Sequence, residues 1–199
     1  TTPWTLPGNT AICVGPNLEY SRVLVNGKKY VVAADLLDSL KGEFGWENVE
    51  VINNFYGTDL EYVKYKHPFM DRISPVVLGD HVTLDAGSGL VHTAPSYGVD
   101  DFNVGKKYNL EMVFGVDDNG CLNAESGERF KGLFFEDANK EVVKYLDELG
   151  VLLKLKFITH SYPHDWRTKK PIIFRATAQW FCSIDKIKDD ILKEIDNNI

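Results

Sequence analysis

The chain has 199 residues, of which 44% are hydrophobic and 12% aromatic, enough to form one domain with a sizeable core. Its formal net charge of −7 argues against a nucleic-acid-binding surface, because phosphate binding draws on Lys and Arg. No apolar run approaches the roughly 20 residues that a membrane helix needs, so we expect neither a membrane span nor a secretion signal.

The three cysteines, Cys13, Cys121 and Cys182, lie far apart in the sequence. They lack the close spacing of a zinc knuckle, and three cysteines cannot all pair as disulfides. We therefore expect a reduced, cytoplasmic protein without a metal site. The sequence begins at Thr1 without an initiator Met, and we expect a piece of a longer protein, with proteolytic maturation as the alternative.

The first half of the chain indicates mainly β structure. Residues 21–25 and 29–33 flank Asn26-Gly27, a pair that tolerates the positive φ angles of a type I′ hairpin turn. Leucines at helical spacing predict a helix over residues 34–44. Further strands are predicted at residues 49–55, and at residues 81–84 and 90–92 around a glycine-rich turn.

The second half of the chain holds the clearest helices. Asp100 and Asp101 open a predicted helix over residues 99–108, where acidic residues suit the helix dipole. A helix over residues 135–149 is closed by Gly150, and an amphipathic helix is predicted at residues 185–196. Strands are predicted at residues 152–158 and, from polar–apolar alternation, at residues 176–181.

Strands outnumber helices in these predictions and are joined by hairpins rather than by regular crossovers. That pattern favours an α+β fold, a β-barrel-like domain with peripheral helices, over a doubly wound sheet.

Two segments could carry chemistry. Residues 1–10 pack several hydroxyls, Trp4 and Asn9 between two prolines and a glycine, which predicts a stiff, non-helical backbone; the alternative is an irregular turn with Trp4 in the core. Residues 87–101 place His92 at a strand end and Asp101 in the following helix, an arrangement typical of a site rim. Alternatively, His92 is an ordinary core or surface residue, and Asp101 only compensates the helix dipole.

Two other kinds of site are disfavoured. Ser88, His92 and Asp101 could suggest a hydrolase triad, but Ala86 stands where the first glycine of a nucleophile elbow belongs. His160 and His164 could suggest a metal site, but the proline between them excludes a regular helix with both on one face. A hydrogen-bonded aromatic connector is the simpler interpretation.

The residue sequences of these motifs resemble those of one enzyme family. Thr-Thr-Pro-Trp-Thr-Leu-Pro-Gly-Asn at 1–9 resembles the threonine-rich motif of class I synthetase editing domains for isoleucine, valine and leucine. Gly-Ser-Gly-Leu-Val-His-Thr-Ala-Pro at 87–95, with the following Asp pair, resembles their second editing motif. The His-Ser-Tyr-Pro-His run at 160–164 and residues 171–181 resemble the segment that returns to the catalytic domain. Val-His at 91–92 favours the isoleucyl-tRNA synthetases; Asp165 departs from the Cys of many members.

The resemblance implies hydrolysis of valine wrongly attached to the isoleucine tRNA, with isoleucine excluded by size; pre-transfer cleavage of valyl-adenylate at the same site is an open alternative. It implies that Asp101 binds the substrate ammonium and that His92 and Trp4 wall the side-chain pocket. The hydroxyls and amide of Thr1, Thr2 and Asn9 would hold the terminal adenosine and the attacking water. The catalytic residues expected in this way are Thr2, Asn9, His92 and Asp101, and the substrate-binding residues expected are Thr1, Thr2, Trp4, His92, Tyr97 and Asp101.

The resemblance also sets the surroundings of the domain. Residues 1–182 would form the editing domain, and residues 183–199 the helix that begins the return to the catalytic domain. Editing would need no cofactor, since ATP and Mg serve the synthetic domain of the parent enzyme. The expected partners are the 3′ end of the isoleucine tRNA carrying valine and the rest of the synthetase, without a membrane, in a monomer. The alternatives are a non-catalytic tRNA-positioning insert and the editing domain of a valyl enzyme.

Overall fold

The computed structural model describes residues 2–85, 87–159 and 161–198, so Thr1, Ala86, His160 and Ile199 lie outside the described residues. In chain order these residues form the following elements: a 3-10 helix (Pro3–Gly8), β1 (Ala11–Val14), β2 (Glu19–Val25), β3 (Lys28–Ala33), a 3-10 turn (Ala34–Leu36), α1 (Leu37–Phe44), β4 (Val49–Tyr56), a 3-10 turn (Gly57–Leu60), β5 (Lys64–Lys66), β6 (Ile73–Leu78), β7 (Leu90–Thr93), α2 (Val99–Tyr108), a 3-10 turn (Ala124–Ser126), α3 (Phe135–Glu148) and α4 (Lys188–Asn198).

The strands form two sheets. A four-stranded sheet has the order β5-β6-β1-β7, with β1 parallel to β6 and antiparallel to β7, and an antiparallel three-stranded sheet has the order β3-β2-β4. The predicted α+β class is therefore confirmed, and within the described part of the chain the strands do not close into a single barrel.

The hairpin between β2 and β3 follows from its turn. Asn26 and Gly27 have φ angles of 49° and 77°, the two positive values that a type I′ turn requires. Val25 and Lys28 are paired directly beside the turn, so the register of the whole hairpin is set there. This prediction is confirmed.

Successive side chains of β1 point to opposite faces of the four-stranded sheet, and both faces are buried. Ala11 and Cys13 pack with Val104 of α2 on one face. Val14 packs on the other face with Tyr20 and Ala33, which belong to the three-stranded sheet. The four-stranded sheet thus lies between α2 and the three-stranded sheet, and successive side chains of β1 and β7 are directed to opposite sides.

The predicted helices near the middle of the chain are confirmed. In α3, Ala138 and Val142 are both fully buried at an i, i+4 spacing, so one face of the helix packs inward. That face contacts the 3-10 helix Pro3–Gly8, and the backbone N–H of Trp4 donates to Asn139 Oδ1 at 3.0 Å. After α3, Gly150 has a φ of 67°, the left-handed conformation that ends a helix.

Several local predictions were wrong. Residues 3–8, expected to be non-helical, form a 3-10 helix; Pro3 is compatible with it, since in the first turn a proline's missing N–H costs nothing. Residues 152–158 and 176–181 form no strand within the described chain, and their apolar side chains have no sheet to lie on: Phe157 is 90% exposed and Trp180 fully exposed. Residues 81–84 form an irregular segment that follows a turn, rather than a strand.

β1, β5 and β6 were not predicted at all. β1 is almost entirely buried and so lacks the alternation of a half-buried strand, whereas β6 carries Pro75, which argues against a strand in sequence patterns. None of the described helices is long and apolar enough to cross a bilayer. The boundary expected at residue 182 stays a prediction.

Candidate active site

His92 occupies the third position of β7, directly opposite Ile12 of β1. Because partners in an antiparallel pair share a face, His92 lies on the side of the sheet turned toward the three-stranded sheet. There the ring meets the 3-10 helix Pro3–Gly8 and the residue that follows it, Asn9. Residues 83 and 87 positions apart in the sequence are brought together in this way.

Each nitrogen of the His92 ring has a hydrogen-bond partner. Asn9 Nδ2 lies 2.7 Å from His92 Nδ1, and Thr5 Oγ1 lies 2.9 Å from His92 Nε2. The Thr5 hydroxyl in turn donates to the backbone oxygen of Thr2 at 2.8 Å. The side chains of Asn9 and His92 are thus connected through Thr5 to the backbone oxygen of Thr2 in one hydrogen-bonded chain.

The charge state of His92 follows from this enclosure. Burial lowers the pKa of His92 to about 3, so the ring is neutral at physiological pH. The Asn9 amide can only donate to Nδ1, and the Thr5 hydrogen is already given to Thr2. His92 therefore carries its proton on Nε2 and donates it to Thr5.

A cavity of about 290 Å³ opens in front of His92. We call this space the His92 cavity. It is lined by Leu6, Asn9, Ile12, Tyr65, His67, Pro68, Leu90 and His92. The volume is at the lower end of the roughly 300–1,000 Å³ typical of small-molecule sites. The polar nitrogens of His92 and Asn9 are bonded within the protein, so the cavity offers a small ligand mainly apolar walls.

The amide of Asn9 is almost fully used inside the protein. Asn9 is 5% exposed, and Nδ2 donates to Ala11 O at 2.9 Å as well as to His92. Its Oδ1 accepts a hydrogen bond from the hydroxyl of Tyr65. A bound molecule could therefore meet only one remaining lone pair of this side chain.

The side chains of Arg72 and His67 hold the segment that carries Thr5 and Asn9. Arg72 Nη1 donates to Pro7 O at 3.1 Å and to Asn9 O at 2.9 Å. His67, which is 2% exposed, donates from Nε2 to Leu6 O at 2.9 Å, and its pKa is lowered mainly by burial. Leu6 O also accepts from Asn9 N at 2.9 Å, so side-chain and backbone donors together hold the end of the 3-10 helix.

Asp101 lies in the first turn of α2 and is tied to the strand end beyond His92. Its Oδ2 accepts from the backbone N–H of Ala94 at 3.0 Å, two residues after His92. Burial raises the pKa of Asp101 above its usual range, and the Ala94 bond opposes that rise. The carboxyl is thus held near β7, but it is not among the residues that line the His92 cavity.

Trp4 and Tyr97 contact each other in the core. Trp4 is 5% exposed, and the ring centroids of the two residues lie 4.9 Å apart in an edge-to-face arrangement. The Tyr97 hydroxyl accepts from Gly115 N at 2.8 Å, and Gly8 permits the contact because a Cβ there would lie 2.6 Å from the Tyr97 ring. Neither residue lines the His92 cavity, and their role as substrate-binding residues stays a prediction.

Thr2 and the described residues of the third motif lie outside the His92 cavity. Thr2 is exposed and lines a larger groove of about 990 Å³ between α3 and residues 152–158, whereas Thr1 falls outside the described residues. Ala176 of the third motif donates its N–H to Ser96 O at 2.7 Å, beside Tyr97. The described residues contain no group of three or more metal-ligating side chains.

Sequence reasoning missed several residues of the site: Thr5, Leu6, Ile12, Tyr65, His67, Pro68, Leu90 and Arg72. Thr5 and Leu6 lie inside the first motif and could have been included with it. The run from Tyr65 to Pro68 combines two ring-bearing polar side chains with a proline, a composition that could have attracted notice. The sequence around Arg72 gives no signal that predicts its hydrogen bonds to Pro7 and Asn9, because these bonds depend on how the chain folds back after β5.

The chain is similar in sequence to isoleucine–tRNA ligases. It is 58% identical over 195 residues to the enzymes of Bacillus cereus (strain AH187) and Bacillus cytotoxicus, and 57% identical to that of Bacillus anthracis (strain CDC 684), covering 98% of this chain each time. The chain spans 21% of the length of these relatives. No family model matches. The resemblance to isoleucyl-tRNA synthetases is confirmed over nearly the whole chain.

The fold is shared with a solved structure of a synthetase domain. The crystal structure of GlLeuRS-CP1, a leucyl-tRNA synthetase domain, matches with a TM-score of 0.58 and 16% identity, covering 82% of each chain. At this identity the likeness concerns the fold, which is that of a CP1 domain.

Proposed function

We propose that this chain is the editing domain of an isoleucine–tRNA ligase and hydrolyses valyl-tRNA(Ile) while sparing isoleucyl-tRNA(Ile). The observation that carries the proposal is the chain of hydrogen bonds from Asn9 through His92 and Thr5 to Thr2 at the His92 cavity. It fixes a neutral imidazole as one wall of a small, largely apolar space. The sequence similarity to isoleucine–tRNA ligases supports the choice of amino acid.

The need for such a site follows from the chemistry of the two amino acids. Discrimination by the isoleucine enzyme against valine is the known example of selectivity limited by one methylene and answered by a second sieve. A synthetic site cannot reject a smaller side chain well, because valine leaves only a void. A pocket too small for isoleucine inverts the test, and whatever enters it is hydrolysed.

The reaction is the hydrolysis of an ester. A water oxygen bonds to the carbonyl carbon of valine, the bond from that carbon to the ribose oxygen breaks, and the ribose oxygen takes a proton that the water gives up. Because the ribose oxygen is a tolerable leaving group, positioning of the water supplies much of the acceleration. This agrees with a site whose central imidazole has both nitrogens engaged.

The side chains have separate roles in this proposal. The ionised carboxylate of Asp101 binds the α-ammonium of valine, a charge-assisted contact that sets the orientation of the amino acid. His92 limits the size of the side chain, and Asn9 acts by holding His92. Thr1 and Thr2, of which Thr2 is exposed, hold the terminal adenosine and the water.

The partner fits the charge of the chain. A domain that receives one terminus of a tRNA need not be basic overall, since the parent ligase supplies the other tRNA contacts. Editing takes place in the cytoplasm, in a monomeric ligase, and ATP and Mg serve only the synthetic reaction elsewhere in the parent enzyme.

The proposal is tested with tRNA(Ile) charged with radiolabelled valine. A full-length ligase carrying this segment should release valine, and the matched Asp101→Asn variant should release it about ten- to a hundredfold more slowly. Binding of the tRNA without release would instead favour a non-catalytic insert that positions tRNA. Preferential release of threonine from tRNA(Val) would favour the editing domain of a valyl enzyme.

A further inference from the structure

Tyr65 has no role in the proposed reaction, yet it contacts the site directly. It lies in β5, at the edge of the four-stranded sheet, and its ring lines the His92 cavity. Its hydroxyl donates to Asn9 Oδ1. Burial raises the pKa of Tyr65 to about 12, so the hydroxyl keeps the proton that it donates.

The neighbours of the Asn9 amide fix which of its atoms faces which partner. The carbonyl of Ala11 can only accept, so the amide nitrogen faces Ala11 and the amide oxygen faces Tyr65. The second hydrogen of the amide nitrogen then faces His92 Nδ1, which must be unprotonated. Each atom from the Tyr65 hydroxyl to the His92 ring thus has one hydrogen-bonding role.

We propose that Tyr65 is a positioning residue that sets the size limit of the His92 cavity, because it holds Asn9 and Asn9 holds the ring of His92. This inference rests on the proposed function, in which His92 excludes isoleucine. Without the hydroxyl, Asn9 Oδ1 loses its donor at a site that is 5% exposed. An unpaired buried acceptor is costly, so the amide turns, the His92 ring loses the donor at Nδ1, and the cavity gains room for a methylene.

The direct test is Tyr65→Phe in a full-length isoleucine–tRNA ligase that carries this segment. We expect the ratio of the deacylation rates of valyl- and isoleucyl-tRNA(Ile) to fall about tenfold, which corresponds to ~1.4 kcal/mol. The matched control is Tyr62→Phe, because Tyr62 is 65% exposed and its ring packs on Tyr108, away from the cavity. The control should keep the ratio within about twofold, and an unchanged ratio in Tyr65→Phe would overturn the inference.

A spectroscopic measurement tests the same link without relying on activity. In the chain labelled with ¹⁵N-histidine, His92 should show an unprotonated Nδ1 and a protonated Nε2. Tyr65→Phe should populate the other tautomer or broaden the ring signals by exchange, while Tyr62→Phe should leave them unchanged. A wild-type ligase that does not release valine would refute the proposed function, whereas a His92 spectrum indifferent to Tyr65→Phe would refute the positioning role.

Discussion

The amide nitrogen of Asn9 lies 2.7 Å from Nδ1 of His92, and this contact makes the imidazole a fixed wall. A general base needs a free nitrogen and a pKa near the working pH. His92 has neither, because both nitrogens are bonded and burial lowers its pKa to about 3. We therefore propose that His92 acts by limiting the size of the amino-acid side chain that enters the cavity, and not as a base.

Shortening His92 should relax the size limit. In His92→Ala the cavity gains the volume of the ring, and isoleucyl-tRNA(Ile) should be deacylated at least about tenfold faster than by the wild type, since one methylene is worth ~1–3 kcal/mol in a pocket. Deacylation rates measured with purified charged tRNA provide the check. A variant that still spares isoleucine would exclude His92 as the sieve.

Removing the charge of Asp101 should slow hydrolysis. Asp101→Asn keeps the size of the side chain but loses a charge-assisted contact worth ~1.5–3 kcal/mol, a loss of about ten- to a hundredfold in kcat/KM for valyl-tRNA(Ile). Isoleucine activation by the full-length ligase, measured by pyrophosphate exchange, should be unaffected. Retained deacylation would remove Asp101 from the site.

The same carboxyl predicts an acid limb in the pH profile. Burial raises the pKa of Asp101, and only the ionised form binds an ammonium group. The rate of hydrolysis should therefore be highest above the raised pKa and should decline as the pH falls through it. Profiles of kcat/KM from about pH 8 to about pH 4 should show this limb in the wild type, displaced above the usual aspartate range, and a flattened limb in Asp101→Asn.

Trp4 should matter for stability because of its place in the core. Trp4→Ala removes a ring that is 5% exposed and contacts Tyr97 and Phe135, and should lower the free energy of unfolding by ~3–5 kcal/mol. Trp180→Ala is the matched control, since Trp180 is fully exposed and should change stability by about 0.5 kcal/mol or less. Urea denaturation compares the two; equal losses would contradict the core placement.

Arg72 should stabilise the loop that carries Asn9. Arg72→Ala leaves the carbonyl groups of Pro7 and Asn9 without their donor, which should cost ~2–3 kcal/mol of stability and slow valyl-tRNA deacylation. The control is Arg22→Ala, at an exposed position of β2, which should change neither quantity appreciably. A stable Arg72→Ala with full activity would show that the loop holds its shape without this side chain.

Local signals in the sequence predicted the elements that local chemistry determines. The positive φ angles of Asn26 and Gly27 and the helix end at Gly150 depend on a few neighbouring residues, and these predictions were confirmed. The wrong strand at residues 176–181 shows the limit of that reasoning. Alternation of polar and apolar residues marks a strand only where a sheet exists to receive it.

The motifs located much of the candidate site but not its construction. The first two motifs contain Asn9 and His92, and the structure brings those two residues into contact. Tyr65 and Arg72 could not be placed, because their contacts arise when β5 and the turn after it return to the 3-10 helix. Such long-range pairings depend on sheet topology, which residue types alone do not define.

The most direct test of the proposed editing function is the ratio of two rate constants measured side by side. Valyl-tRNA(Ile) and isoleucyl-tRNA(Ile) are incubated with a full-length ligase that carries this segment, and release of each amino acid is followed as a first-order decay. We expect rapid release of valine and release of isoleucine close to the rate without enzyme. Equal rates for the two, or no valine release above the uncatalysed rate, would contradict the proposed function.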